Sequence, residues 1–374
     1  CILCYTGTML KTYRYRLYPT KKQETALRFT LEECRWLYNY LLEQRKLAYE
    51  ECDVSLSWID QQNCLPKFKK DRPSLTRVHS QVMQNVSGRI DLAFKAFFRR
   101  IRAGEKPGHP RFRGEGRYDS FTYPQSGFAI KSETLYLSKI GNVPIILHRP
   151  IEGVIKTCTI RQTPTGKWFV TFACEIEPSS LPVLDTQVGI DVGLTSFATL
   201  SNGEKIENPH FYRKEEAILR RAQQRKEKSP IGSVLRQKRK LIVAKVHERI
   251  ANKRRDFVHQ ESRKIVNAYQ TIAVEDLEVN RMTHNHCLAK SIMDVAWTDF
   301  TNSLQYKAAY AGRRFVRVNP AYTSQTCSQC GHRQKMPLDI REYHCPCCGL
   351  TMDRDHNAAL NILRVGLHTI SNQS

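Results

Sequence analysis

Residues 322 to 363 read YTSQTCSQCGHRQKMPLDIREYHCPCCGLTMDRDHNAALNIL. Two Cys-x-x-Cys pairs, Cys327/Cys330 and Cys345/Cys348, stand about fourteen residues apart. At that spacing two tight turns can deliver four thiolates to one tetrahedral ion. Gly331 and Gly349 follow the second cysteine of each pair, where such a turn calls for a positive φ. The stretch therefore reads as a structural zinc ribbon, with one Zn2+ held by Cys327, Cys330, Cys345 and Cys348. Cys347 is a fifth candidate, but the repeated CxxCG frame favours its neighbours.

Just after the ribbon, Asp355 to Leu363 carries small and apolar residues at helical spacing. Asp355 precedes Ala358 and Ala359 by three and four positions, so it shares their packed face. An inward carboxylate is costly unless something compensates its charge. Asp353, two residues earlier, points elsewhere and reads as the helix cap. A metal ion shared with other acids explains Asp355, and two candidates lie upstream. In VGIDVGLTSFATL (188 to 200) Asp191 interrupts an apolar strand-like run, and in TIAVEDL (271 to 277) a buried-type strand closes on Glu275. The elements read as strand, strand, strand, long helix, strand, helix, strand, helix, the order of an RNase H-like sheet. On it the three acids can meet around Mg2+, two ions in all, since hard oxygen ligands suit that metal.

The long helical region, Arg213 to Tyr269 with a break near Ser229-Pro230, is dense in basic residues. Arg220, Arg221, Arg239, Lys253, Arg254 and Arg255 are its candidate phosphate contacts. Beyond Glu275 a helix with Ile292, Val295, Ala296, Phe300 and Leu304 on its core face leads to a strand over 314 to 318.

Upstream, residues 10 to 18 alternate as a strand, and 21 to 51 carry Leu27, Leu31, Cys34, Tyr38 and Leu41/Leu42 at helical spacing. A loop with Pro66 and Pro73 precedes a second helix, expected over 75 to 102, with Val78, Val82, Val86, Ile90, Phe94 and Phe97 on one side. Its basic aromatic end offers Arg99, Arg100 and Arg102 to phosphates. After a Gly/Pro-rich basic connector the period becomes two. FTYPQSGFAI, TLYLSKIG, VPIILHR, VIKTCTIRQ and KWFVTFACEIE predict five short strands, with a hairpin turn at 163 to 166. Strands so closely spaced suggest a small barrel, completed by the first strand, which makes the helices an insertion.

Composition agrees. The 374 residues carry a formal charge of +23, which predicts a polyanionic partner. No apolar run reaches the length of about 18 residues that a membrane span needs. Thirteen cysteines, an odd number and mostly scattered, fit reduced thiols and zinc better than disulfides. The start lacks a signal peptide's features. Met9 reads as a natural start, with residues 1 to 8 as an upstream extension and Cys1/Cys4 as a chance pair.

At these residues the chain resembles the TnpB (OrfB) proteins of bacterial and archaeal transposons, RNA-guided nucleases related to the type V CRISPR effectors. The likeness runs through YRLYPTKKQ (15 to 23), GHPRFR (108 to 113), the stretch around Asp191, VHERIANKRRDFVHQES (246 to 262), VEDL (274 to 277), YTSQTCSQCG (322 to 331) and CPCCGLTMDRDHNAALNIL (345 to 363). It implies a split RuvC nuclease domain whose acids are Asp191, Glu275 and Asp355. It further implies a transposon-encoded guide RNA, target double-stranded DNA next to a short motif, and cleavage of both strands, with base pairing reading the target. The expected multi-domain α/β organisation is an extension and first barrel strand (1–19), a helical recognition lobe (20–104), a β-barrel (105–186), the RuvC domain (187–321), the zinc ribbon (322–351), which helps load the substrate strand, and a final RuvC segment (352–374). A cytoplasmic, prokaryotic protein is expected.

Three other readings compete. Asp-x-Gly-x-Thr at 191 to 195 also occurs in actin-like ATPases, but a second phosphate loop is missing and so large a positive charge is surplus to them. A guided repressor without cleavage normally lacks one of the acids. A strand-transfer transposase using Ser324 or Tyr322 would need a base or partner motif, which is absent.

Overall fold

The computed structural model describes residues 8–277, 294–337 and 340–372. Residues 1 to 7, with Cys1/Cys4, and Ile292 lie outside them. The chain divides into two compact units between Glu177 and Pro178, nine residues before the barrel boundary expected at 186. Leu181 N–H donates to the Ala311 carbonyl at 3.0 Å, and the Thr186 hydroxyl to the Ala268 carbonyl at 2.7 Å, tying this segment to the second unit.

In the first unit β1 (Met9–Leu17) leads into α1 (Lys21–Cys52). Thr20 and Gln23 close a capping box at the helix start, and the predicted apolar stripe is buried. The expected loop instead forms two short helices, α2 (Trp58–Asn63) and α3 (Leu65–Asp71), then a 3-10 turn (Pro73–Arg77). Pro66 and Pro73 open helical turns, where a missing N–H costs nothing. The next helix, α4 (Ser80–Arg102), starts later than predicted, because Leu75 lies in the 3-10 turn and Val78 is extended.

Six strands follow where five were expected: β2 (Ser120–Tyr123), β3 (Phe128–Lys131), β4 (Thr134–Leu137), β5 (Gly141–Ile146), β6 (Val154–Gln162) and β7 (Trp168–Ile176). FTYPQSGFAI splits into β2 and β3 because Pro124 ends one strand and Gly127, at φ +87°, turns the chain into the next. Gly166 N–H donates to the Thr163 carbonyl at 2.9 Å, closing the predicted hairpin between β6 and β7. The sheet runs β2-β6-β7-β1-β5-β4-β3. Thus β1 sits at its centre, and α1 to α4 are inserted between β1 and β2. Among the described residues no ladder joins β2 to β3, so the barrel is nearly closed, with a seam there.

The second unit is built on β8 (Gln187–Val192), β9 (Ser196–Leu200), β10 (Lys205–Glu207), β11 (Thr271–Glu275) and β12 (Arg314–Val318), in the order β10-β9-β8-β11-β12. The first three form an antiparallel meander, and β11 and β12 run parallel to β8. Between β10 and β11 come α5 (Phe211–Glu227) and α6 (Val234–Ala268), and α7 (Trp297–Tyr310) connects β11 to β12. Phe197, Val258, Val266, Ile272, Phe300 and Leu304 fill the core on one side of the sheet. On the other side lies α8 (Arg354–Ser371), which follows the small hairpin β13 (Glu342–His344) and β14 (Thr351–Asp353). Among the described residues no helix is long and apolar enough to cross a membrane.

Candidate functional site

The register of β8 and β11 decides where two of the acids stand. Ala273 pairs with Gly189 and Val274 with Ile190, so Glu275 and Asp191 come next, side by side on adjacent strands about 4.8 Å apart. With a side-chain period of two, both acids share the face of Gly189 and Ala273. That is the face α8 covers. A Cβ on Gly189 would stand 2.1 Å from the Ala359 carbonyl oxygen and 2.6 Å from the Leu363 nitrogen. A Cβ on Gly366 would stand 2.5 Å from the Cβ of Ala273. Two glycines thus let the helix backbone rest on the strands. One turn before Ala359 the helix carries Asp355, near enough for its charge to act on Asp191.

The electrostatics reflect that meeting. Asp191 retains some exposure, yet burial pushes its carboxyl well above the usual carboxylate range, and Glu275 and Asp355 add to the rise while Arg354 opposes it. Burial also raises Glu275, partly offset by a hydrogen bond from the Thr323 hydroxyl. Without cations Asp191 and Glu275 resist ionisation, and divalent ions would relieve that cost.

Asp353 behaves as expected of a cap. Its Oδ1 accepts the N–H groups of Asp355 and His356, each at 3.0 Å, and its Oδ2 pairs with Lys205 at 2.6 Å. Burial works against its ionisation, but these bonds outweigh it and hold the carboxyl below its ordinary value.

The four predicted cysteines gather at one point, with all their sulfurs within 4.8 Å of one another. Sγ atoms of Cys327 and Cys348, and of Cys330 and Cys345, are 3.6 Å apart. Zn–S bonds of about 2.3 Å in a tetrahedron require S···S edges of about 3.8 Å. The donor set therefore fits Zn2+, and Cys347 stands outside it, exposed. The two turns are built alike. Cys327 N–H donates to the His332 carbonyl and Cys345 N–H to the Leu350 carbonyl, both at 2.8 Å. Gly331 and Gly349 donate back to Cys327 and Cys345 at 3.0 Å, with φ of +75° and +72°.

Among the candidate phosphate contacts, some side chains are already engaged. Lys253 pairs with buried Glu215 at 3.0 Å, clasping α6 to α5. Arg254 pairs at 2.7 Å with buried Asp294, which also accepts the Tyr212 N–H. Arg239 donates to the Arg225 carbonyl and the Ser229 hydroxyl, closing the break between the helices. Arg99, Arg100, Arg102, Arg220, Arg221 and Arg255 are exposed.

Sequence reasoning missed the polar groups that join ribbon and sheet. Buried Asn361 donates to the carbonyls of Thr323 (2.9 Å) and Thr326 (2.6 Å). Buried Asn357 donates to Thr326 at 2.8 Å and accepts the Ser328 N–H at 2.9 Å. The signal was two asparagines four apart within an otherwise small and apolar helix face. Arg354 donates to the Pro337 carbonyl at 2.8 Å, holding a further ribbon segment.

Comparison with known proteins adds three family matches. Residues 297–362 match a Cas12f1-like TNB domain, 171–286 a family described as a probable transposase, and 9–53 one described as a helix-turn-helix domain. In this chain residues 9–53 form β1 and a single long helix. A putative RNA-guided DNA endonuclease of Streptomyces pristinaespiralis is 36% identical, covering 96% of this chain and 89% of the relative. The putative RNA-guided DNA endonuclease InsQ of Escherichia coli K12 is 30% identical, with 96% and 92% covered. A cryo-EM structure of a Cas12f1–sgRNA–target DNA complex shares the fold, with a TM-score of 0.58 at 14% identity, covering 95% of this chain and 98% of that one.

Proposed function

The chain belongs to the TnpB (OrfB) family, and on that premise we propose that it is the RNA-guided DNA endonuclease of a transposon. A guide RNA pairs with target double-stranded DNA beside a short adjacent motif, and the second unit hydrolyses the phosphodiester. The observation that carries the reading is that Asp191 and Glu275 share the sheet face that α8 covers, with Asp355 in the first turn of that helix and its charge acting on Asp191. The strand order β10-β9-β8-β11-β12, with the first three antiparallel, supports assigning this unit to the RuvC (RNase H-like) type. The seven-stranded sheet with its helical insertion supports the barrel-and-recognition-lobe arrangement of the first unit.

Asp191, Glu275 and Asp355 would hold Mg2+, in two ions. Those ions supply charge that activates water and stabilises the leaving oxygen. The chain's own residues do the rest. The carboxylates offset the cations' charge beside an anionic backbone. Close packing of α8 keeps Asp355 at a fixed distance from Asp191. Exposed Arg99, Arg100, Arg102, Arg220, Arg221 and Arg255 contact phosphates without reading sequence. Cys327, Cys330, Cys345 and Cys348 would hold one structural Zn2+, and Asn357 and Asn361 hold the ribbon against α8 and so beside the substrate strand.

The test is purification from a host carrying the flanking transposon DNA, with sequencing of the co-purified RNA and cleavage of a matched duplex. A discrete RNA and guide-dependent cutting, lost in Asp191→Ala, Glu275→Ala and Asp355→Ala with RNA binding retained, are expected. A heterogeneous RNA background, or cutting that survives these substitutions, overturns the reading.

A further inference from the structure

Thr323 lies in the segment leading into the ribbon, and its buried hydroxyl donates to Oε1 of Glu275. The Oγ is also 3.1 Å from the Pro320 carbonyl, but a single hydroxyl proton serves one acceptor at a time, and the carboxylate that divalent ions would keep ionised is the stronger. Thr323 itself is held from behind. Its carbonyl accepts from Asn361 of α8, and Thr326, three residues on, accepts from both Asn357 and Asn361. Cys327, the first thiolate, follows immediately. The helix that carries Asp355, the thiolate ribbon and the hydroxyl on Glu275 are therefore tied together by buried hydrogen bonds.

We propose that Thr323 is a positioning residue for divalent-ion binding, holding the Glu275 carboxylate in the orientation that the shared ions need, with α8 and the ribbon as its support. The inference rests on the assignment of Glu275 as a metal ligand. A carboxylate with two rotatable carbons beyond Cβ otherwise samples several rotamers. The Thr323 hydroxyl selects one, and the same helix that seats Asp355 places that hydroxyl. Partners of this kind, one bond removed from a metal, typically change metal affinity or activity by about 10- to 100-fold when removed.

The experiment uses the full chain and Thr323→Val, which keeps the shape and removes the donor, together with Thr323→Ser, which keeps the donor. Mn2+ binding is followed by loss of the free-ion electron paramagnetic resonance signal, with the Asp191→Ala/Glu275→Ala double variant as baseline. Mg2+ dependence of guided cleavage is measured alongside. We expect Thr323→Val to weaken carboxylate-dependent Mn2+ binding by about tenfold or more and to shift half-maximal Mg2+ upward to match, with zinc content and guide-RNA binding unchanged. Thr323→Ser should restore most of both. Wild-type Mn2+ binding by Thr323→Val, or a serine variant as impaired as the valine one, overturns the proposal. If the valine variant does not fold, Thr323→Ala takes its place under the same criteria. Should the double variant bind Mn2+ as the wild type does, it is the metal-ligand assignment that fails instead.

Discussion

Gly189→Ala tests the geometry most directly, because it adds one methyl group at the point where strand and helix backbones touch. Gly189 does not adopt a positive φ, so alanine is conformationally acceptable and the effect is steric. The new Cβ would meet the Ala359 oxygen at 2.1 Å, whereas contact becomes ordinary only from 3.4 Å. Both neighbours within 3 Å include backbone atoms, which cannot rotate away. The helix α8 must therefore lift by roughly 1 Å. Overpacking of this kind costs about 1–3 kcal/mol. In a unit of this size that lowers Tm by about 2–4 °C per kcal/mol. Asp355 rides on the displaced turn, and a 1 Å misplacement of a positioning element costs on the order of 100-fold in rate. The assay is single-turnover cleavage of a matched duplex by the guide-loaded protein, with a melting curve on the same sample. Gly366→Ala is the control. Its Cβ would strike the Ala273 Cβ at 2.5 Å, but about three helical turns from Asp355, so stability should fall with a smaller loss of cleavage. A Gly189→Ala protein that cuts and melts as the wild type does would refute the packing argument for the three acids.

Further outcomes follow from neighbouring features. Asp353→Ala should retain much of the cleavage that Asp355→Ala abolishes, while losing about 0.5–2 kcal/mol of stability through the missing cap; the reverse ranking in a cleavage assay would contradict the assignment. Metal analysis should find about one zinc per chain, and chelation or Cys345→Ser should unfold the ribbon, seen as protease sensitivity within 322 to 351; a zinc-free native protein would be inconsistent with the thiolate cluster. Burial, with Arg263 adding to it, pushes the Lys307 ammonium down to about 8. Since an unfolded lysine titrates near 10.4, the unfolded chain binds the extra proton between these values, and stability should rise over that interval as pH increases. Denaturant midpoints at pH 7.5 and 9.5 should show a smaller rise in Lys307→Met than in the wild type.

The sequence was most informative where chemistry is local. The repeated CxxCG units specify their own turns, so both knuckles and all four sulfurs were legible, as was Asp353 as the cap of α8. The strand carrying Asp191 and the one ending in Glu275 stood out because a carboxylate in an apolar run has few inexpensive explanations. Boundaries failed where a local device overrode the pattern. Proline and a left-handed glycine cut one expected strand into β2 and β3, and a 3-10 turn delayed the start of α4. The fate of the basic residues was not legible, since arginine looks the same in sequence whether it faces a phosphate or, like Arg254, a buried aspartate.

By itself, then, the amino-acid order determined the thiolate cluster and the helix cap, singled out the three acids as candidates and pointed to a polyanionic partner, because each is set by residues within a turn or two or by summed charge. Only the tertiary structure decided that β1 pairs at the centre of the first sheet, that Gly189 lets α8 rest on β8, and that Thr323 reaches Glu275 across 48 positions. Those contacts join segments distant in the chain, and their register is fixed by packing against partners that no local window contains.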